Sequence, residues 1–393
     1  MAGQAEFTEW RTPCTFFLYR QHENWQLSPG RCYNCQSMNT PTYITQNIPE
    51  SKPICKLGLD CHAASIMVVR QLEGLQPQPP QKFGVAKFLE WTKDQVGKYR
   101  VFSCYEAGPT GYWLHRELEK FGVTNYVICA TRLDSRGKGV NTDKTDATEL
   151  LVRLDRYVAG NKKAFSVVTV PSPEQEQKRA LSRQRDQLRR KRLSFAAQGR
   201  MLLLSQGYRY SNNWWKMDCW KKLQEKVPDW IVEQLNIFRR IIQYVEKEAN
   251  ALVKRLTSEA PASLPKGMGG LTHEILEREI RDWTRFKNRR QLGSYSGLTG
   301  GVSGSGERST DLSITKAGNR RISCCLVECA WRMVLQQPDY WLVKKWAGVL
   351  LNKKAHVRRR KQAIVAFARQ LLIDIWKWKQ GKATPQTLGW KMV

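Results

Sequence analysis

No apolar run in this sequence approaches the roughly 18 residues needed to span a bilayer, which excludes a helical membrane protein. No charged-then-apolar signal segment opens the chain, and its 11 cysteines are scattered, Cys324 and Cys325 even adjacent, rather than spaced as a disulfide framework. A reducing, cytoplasmic setting is therefore expected. The phosphate-cradling pattern GxxxxGK[ST] is absent, so chemistry driven by ATP is not expected. One CxxC exists, Cys32 to Cys35 with Cys14 upstream, but the second CxxC or HxxxH that would complete a four-ligand structural zinc site is missing. Residues 1–53 are polar and aromatic without clear periodicity, and they read as an N-terminal extension without an assigned role.

Acidic residues are also scarce: 35 Asp and Glu against 65 Lys and Arg leave a net charge of +30. A surplus of that size calls for a polyanionic partner, and nucleic acid is the obvious one, bound through phosphate contacts and counterion release. Hydrophobic residues at 41% and aromatics at 10% are ample for packed cores, and 393 residues exceed one ordinary core. Two or three domains are expected.

From Ile54 the texture becomes α/β. "ICKLGLDCHAASIMVVRQLEG" reads as strand, turn and strand, and "YRVFSCYEAGPTGYWLHRELEKFG" as strand, Gly-Pro break and helix. "VTNYVICATRL" is a further strand, followed by a basic loop and the helix "TDKTDATELLVRL". Strands alternating with helices indicate an α/β domain over residues 54–170. Residues 171–262 then turn helical and basic. Leu181, Leu188, Phe195 and Leu202 make a narrow stripe. Ile231, Leu235, Phe238, Ile242, Val245, Ala249, Leu252 and Leu256 alternate steps of four and three, the seam of a coiled coil. Either a long antiparallel hairpin or an intersubunit coiled coil satisfies it. Residues 263–393 open on the Gly-rich turn "LPKGMGGLTHEIL", pass through a Gly/Ser stretch around Ser303 and Ser305, and continue into a helix with Ile322, Leu326, Cys329 and Met333 on one face. A basic tail includes "NKKAHVRRRKQ".

Four acids of the α/β domain sit where chemistry is usually placed. Asp60 ends a strand, Glu106 ends another, and Asp143 and Asp146 share a face at a helix start. Groups at the carboxyl ends of strands in an open α/β sheet converge on one crevice. Carboxylates gathered there repel one another unless a divalent cation neutralises them, so the set suits one or two Mg²⁺ ions acting on a phosphodiester. The competing reading of Asp143 is a helix cap or dipole partner. Lys138 and Lys144 nearby suit a phosphate backbone.

The segments "GLDCHAASIMVV", "YEAGPTGYWLHREL", "NTDKTDATELL" and "QLGSYSGLTGGVSGSGE", with "SITKAGNRRI" after them, closely resemble the DEDD transposases of bacterial insertion sequences, over roughly residues 54–340. That family comprises guide-RNA-directed serine recombinases. The resemblance implies an RNase H-like (RuvC-like) domain, a helical coiled-coil arm, and a mainly helical C-terminal transposase domain. It places the metal-binding acids on Asp60, Glu106, Asp143 and Asp146, with Mg²⁺ as cofactor. It places the nucleophile on Ser305, with Ser303 as competitor because "VSGSG" puts both before a glycine; the family's usual Ser-Lys appears as Thr315-Lys316. The implied activity is RNA-guided cutting and rejoining of DNA through a phosphoserine link. The implied partners are donor and target DNA, a structured non-coding guide RNA and further copies of the chain, as a dimer or tetramer joined through the arm, in the bacterial cytoplasm at the nucleoid. The rival readings are a RuvC-type metal-dependent junction nuclease and a non-catalytic nucleic-acid-binding protein.

Overall fold

The computed structural model describes residues 17–21, 24–28, 52–129, 142–305, 308–315 and 317–393. Cys14, Cys32, Cys35, Lys138 and Lys316 fall outside them. The chain divides into two compact units, Met1–Thr169 and Val170–Val393. In the first, β1 (Phe17–Gln21) and β2 (Asn24–Ser28) form an antiparallel hairpin. The rest is a five-stranded mixed sheet. It is built from β3 (Ile54–Cys61), β4 (Ser65–Leu72), β5 (Gln81–Gly84), β6 (Arg100–Glu106) and β7 (Thr124–Ile128), in the order β5-β4-β3-β6-β7. Strands β3, β4 and β5 run as an antiparallel meander, whereas β6 and β7 lie parallel to β3. The helices α1 (Val85–Lys98) and α2 (Trp113–Lys120) make the crossovers those parallel pairings require, and α3 (Asp143–Val158) follows β7.

Strand β3 is central, so Leu57 and Leu59 are fully buried. Between them Gly58 admits the backbone of α3: a Cβ there would lie 2.3 Å from the Ala147 carbonyl oxygen and 2.5 Å from the Leu151 amide nitrogen. Ala147, Leu150, Leu151 and Leu154, on one side of α3, close against the sheet. The first turn of α3 is thereby held beside the carboxyl end of β3.

The second unit is helical. Long helices α4 (Pro173–Ser205) and α6 (Asp229–Thr257) flank the short α5 (Met217–Gln224). The rings of Phe195 and Phe238 meet at 6.0 Å, and Arg192 pairs with Glu246. As α4 descends in number α6 ascends, so the two are antiparallel. None of the eight seam residues of α6 is exposed. The seam is covered within this chain, and α4 meets it differently from the Leu181–Leu202 stripe. Its buried residues include Ala196, Gly199 and Leu203, because Trp214 inserts there, Nε1 donating to the Ala196 carbonyl at 2.8 Å. A Cβ on Gly199 would lie 2.2 Å from the Trp214 ring.

The remainder comprises α7 (Gly270–Ile280), α8 (Arg289–Ser296), the hairpin β8 (Gly300–Ser305) and β9 (Arg308–Ile314), then α9 (Arg320–Gln336), α10 (Trp341–Leu350), α11 (Val357–Lys379) and α12 (Pro385–Leu388). One core joins them, with Ile322, Leu326, Cys329 and Met333 of α9 all at 0% exposure beside Phe367, Leu371 and Leu372 of α11. Among the described residues no helix is long and apolar enough to cross a membrane.

Candidate active site

Asp60 is the penultimate residue of β3 and Glu106 the last of β6. These strands are parallel neighbours whose register sets Leu59 beside Tyr105, so the next residue on each is an acid. At the start of α3 the N-cap is Thr142, whose hydroxyl accepts from the Thr145 amide. Asp143 and Asp146 are therefore not needed as the cap. Asp143 is half exposed and Asp146 partly covered.

His62 completes the group, and the sequence reading had not singled it out. Its backbone amide donates to Ser65 at 2.9 Å, closing the turn from β3 to β4. Its Nε2 lies 3.1 Å from Asp60 Oδ2 and 3.3 Å from Asp143 Oδ2. The available signal was its place two residues beyond Asp60, where strand alternation returns a side chain to the same face.

Crowding shows in the acids' proton affinities. Burial pushes the Asp60 carboxyl above its ordinary range; His62 opposes this, and the charges of Asp143 and Asp146 reinforce it. Burial raises Glu106 too, Arg153 opposing and Asp146, Asp60 and Glu149 reinforcing. Asp60 is thus within electrostatic reach of Asp143 and Asp146, and Glu106 of Asp60 and Asp146. Carboxylate oxygens gathered in this way form a donor set of the kind that would suit Mg²⁺.

In the second unit, the hairpin that carries Ser303 and Ser305 grows from a fixed base. Helix α8 is capped at its start by Asn288, whose Oδ1 accepts from two amides, and ends at Gly297 with φ of 70°. Gly318 presses on that turn: a Cβ would lie 2.3 Å from the Gly297 amide nitrogen. Asn319 donates its amide to the Tyr295 carbonyl at 2.8 Å and caps α9 with Oδ1. Its Nδ2 donates to Glu279 Oε2 at 2.8 Å, and the Tyr295 hydroxyl donates to the Glu279 carbonyl, also at 2.8 Å. Within β8, Ser303 stands opposite Thr310, and Ser305, the last residue of the strand, opposite Arg308. The Gly/Ser stretch is a β-hairpin and not an irregular loop. Alternation in "STDLSI" gives it a partner strand that the glycines of β8 conceal.

This same stretch decides the relationship. Residues 263–346, from before α7 into α10, match the family of IS116/IS110/IS902 transposases. Similarity to proteins named as transposases extends further along the chain. The y4rJ protein of Sinorhizobium fredii, provisionally named a transposase, is 28% identical over 326 residues, covering 75% of this chain and 82% of its own. A second Sinorhizobium fredii protein of the same provisional name, y4qE, is 32% identical over 236 residues, 59% of this chain and 58% of that protein. The transposase for insertion sequence element IS1328 of Yersinia enterocolitica is 26% identical over 195 residues, 46% of this chain and 57% of its own. This chain is similar to proteins named as insertion-sequence transposases. The matched segment contains both candidate serines, whereas the four acids lie in the other unit.

Proposed function

We propose that this chain is the DNA recombinase of an insertion sequence, breaking and rejoining strands through a serine. The observation that carries the reading is the match of residues 263–346 to the transposase family, a segment whose hairpin bears Ser303 and Ser305. The mixed sheet of the first unit, with acids at adjacent strand ends, supports an RNase H-like (RuvC-like) domain.

In this reading Asp60, Glu106, Asp143 and Asp146 would hold one or two Mg²⁺ ions, which would supply Lewis acidity for negative charge on the reacting oxygens. Ser305 Oγ attacks the scissile phosphorus. The new Oγ–P ester forms as the bond from phosphorus to one deoxyribose oxygen breaks, and that oxygen leaves as a hydroxyl carrying the proton lost by the serine. Attack by the hydroxyl of another DNA end reverses the step, returns the proton to Ser305 and conserves the phosphodiester energy. A serine hydroxyl is a weak nucleophile alone, so this reading requires a group that activates Ser305. A structured guide RNA pairing with donor and target DNA would select the sites, in the manner of RNA-guided effectors. The exposed Arg189, Arg190 and Lys191 of α4, and exposed Trp113, Trp230 and Trp341, suit phosphate contacts and base stacking. Copies of the chain would associate as a dimer or tetramer through the α4–α6 arm.

A recombination assay on plasmid DNA carrying the element ends tests this. Asp60→Ala and Ser305→Ala are expected to abolish product, with a protein–DNA adduct on denaturing gels for the wild type and none for Ser305→Ala. Loss of the adduct in Ser303→Ala, with Ser305→Ala still active, would transfer the role to Ser303. Cutting that survives both serine substitutions without an adduct would make the protein a metal-dependent nuclease instead.

A further inference from the structure

We propose that His62 is a nitrogen ligand in the acid cluster, and that it shifts the cation preference of this chain from Mg²⁺ toward Mn²⁺. The inference rests on the reading of Asp60 and Asp143 as cation ligands, and adds a donor of a different kind. Three atoms, His62 Nε2, Asp60 Oδ2 and Asp143 Oδ2, come from a turn, a strand end and a helix start; one ligand atom from each of these residues lies within 4.8 Å of the others. The separations from Nε2 are 3.1 and 3.3 Å. Adjacent ligands on an octahedral ion bound at about 2.1 Å are about 3 Å apart, so these are the edges of such a coordination shell.

The backbone that carries the ring is held in place. The amide of His62 is tied to Ser65, and the same residue follows Asp60 along the chain by two positions. Without a cation, Nε2 lies at hydrogen-bonding distance from Asp60 Oδ2 and beside Asp143 Oδ2; with one, the same nitrogen would present its lone pair. Carboxylate sites suit Mg²⁺ and Mn²⁺ alike, but imidazole binds the transition ion better, following the general order of divalent affinities. A site made only of Asp60, Glu106, Asp143 and Asp146 has no such bias.

The test uses the full-length chain stripped of cations and Mn²⁺ as the probe, without DNA or turnover. Pulsed electron-spin resonance of the Mn²⁺ complex is expected to show modulation from a directly bound ¹⁴N, altered when histidine is labelled with ¹⁵N. Titration is expected to give Mn²⁺ affinity about tenfold or more above Mg²⁺ affinity, with His62→Ala erasing that ratio by weakening Mn²⁺ binding about tenfold or more while Mg²⁺ binding changes little. Asp60→Asn weakens both ions. No ¹⁴N modulation, or unchanged Mn²⁺ affinity in His62→Ala, overturns the proposal while leaving the acid site standing. Cation binding that is absent from the wild type, or indifferent to Asp60→Asn and Asp143→Asn, overturns the acid site and the proposal together. His62 is exposed, so its replacement leaves folding intact.

Discussion

Glu279 sits on the last turn of α7 with its side chain 1% exposed, yet it stays charged. Burial works against the ionised form, and hydrogen bonds from Arg183 and Asn319, with the charges of Arg183 and Arg179, outweigh it, so the carboxyl is held below its ordinary range. Arg183 reaches both oxygens, at 3.2 and 3.1 Å. Removing one partner of a buried ion pair strands the other, which costs about 3–5 kcal/mol. Glu279→Ala is expected to lose stability of that order in denaturant unfolding followed by tryptophan fluorescence. Because the folded proton affinity is lowered, this contribution is complete above the ordinary glutamate range near pH 4.3 and disappears as pH falls through the folded value. Glu279→Gln should therefore flatten the loss of stability below about pH 4; an unchanged acid limb would assign that loss to other carboxylates. Glu279 could not be singled out in "THEILEREI", since an acid on a helix is ordinarily solvated. Only the fold reveals that Arg183, 96 residues earlier, is its partner.

At the scale of elements, Gly58 decides where α3 lies. Adding a methyl group drives the helix backbone off β3, and overpacking of that kind costs about 1–3 kcal/mol. Gly58→Ala should lower the thermal midpoint and weaken Mn²⁺ binding, since Asp143 and Asp146 ride on the displaced helix. Gly97→Ala, within α1 and facing open space, is the control and should be neutral or mildly stabilising. Retained cation affinity in Gly58→Ala would mean that this close approach does not position the acids. The strands β3, β4, β6 and β7 were legible because each is an apolar run bounded by polar breaks, and Asp60 and Glu106 were legible as the acids that end such runs. β5 was not: "QKFG" is a short edge with three exposed residues and no alternation. Nor was the buried face of α4, where Ala196 and Gly199 make room for a tryptophan instead of contributing bulk. The hairpin β8–β9 escaped for a related reason, glycine and serine carrying no strand signature.

For the whole molecule, the +30 charge dominates. Its association with DNA should weaken linearly on a logarithmic salt scale, with a slope near −0.9 per phosphate neutralised on duplex DNA. Replacing Arg189, Arg190 and Lys191 of α4 together by serine should make the slope shallower by about 2–3, with little change in folding because all three side chains are exposed. Fluorescence anisotropy over a range of potassium chloride concentrations measures it, and an unaltered slope would remove α4 from the nucleic-acid surface.

The pinch at Gly297 and Gly318 has an architectural consequence. Thr299 and Thr315 are bonded across the base of the hairpin, and the two glycines lie backbone to backbone beneath it. Entry and exit therefore occupy one point, and the chain between them is a cassette clipped onto a closed frame. Lengthening or shortening the cassette changes how far the serine-bearing tip extends, without moving α8 or α9. A hairpin of another length can thus be grafted into this frame provided the clip is matched.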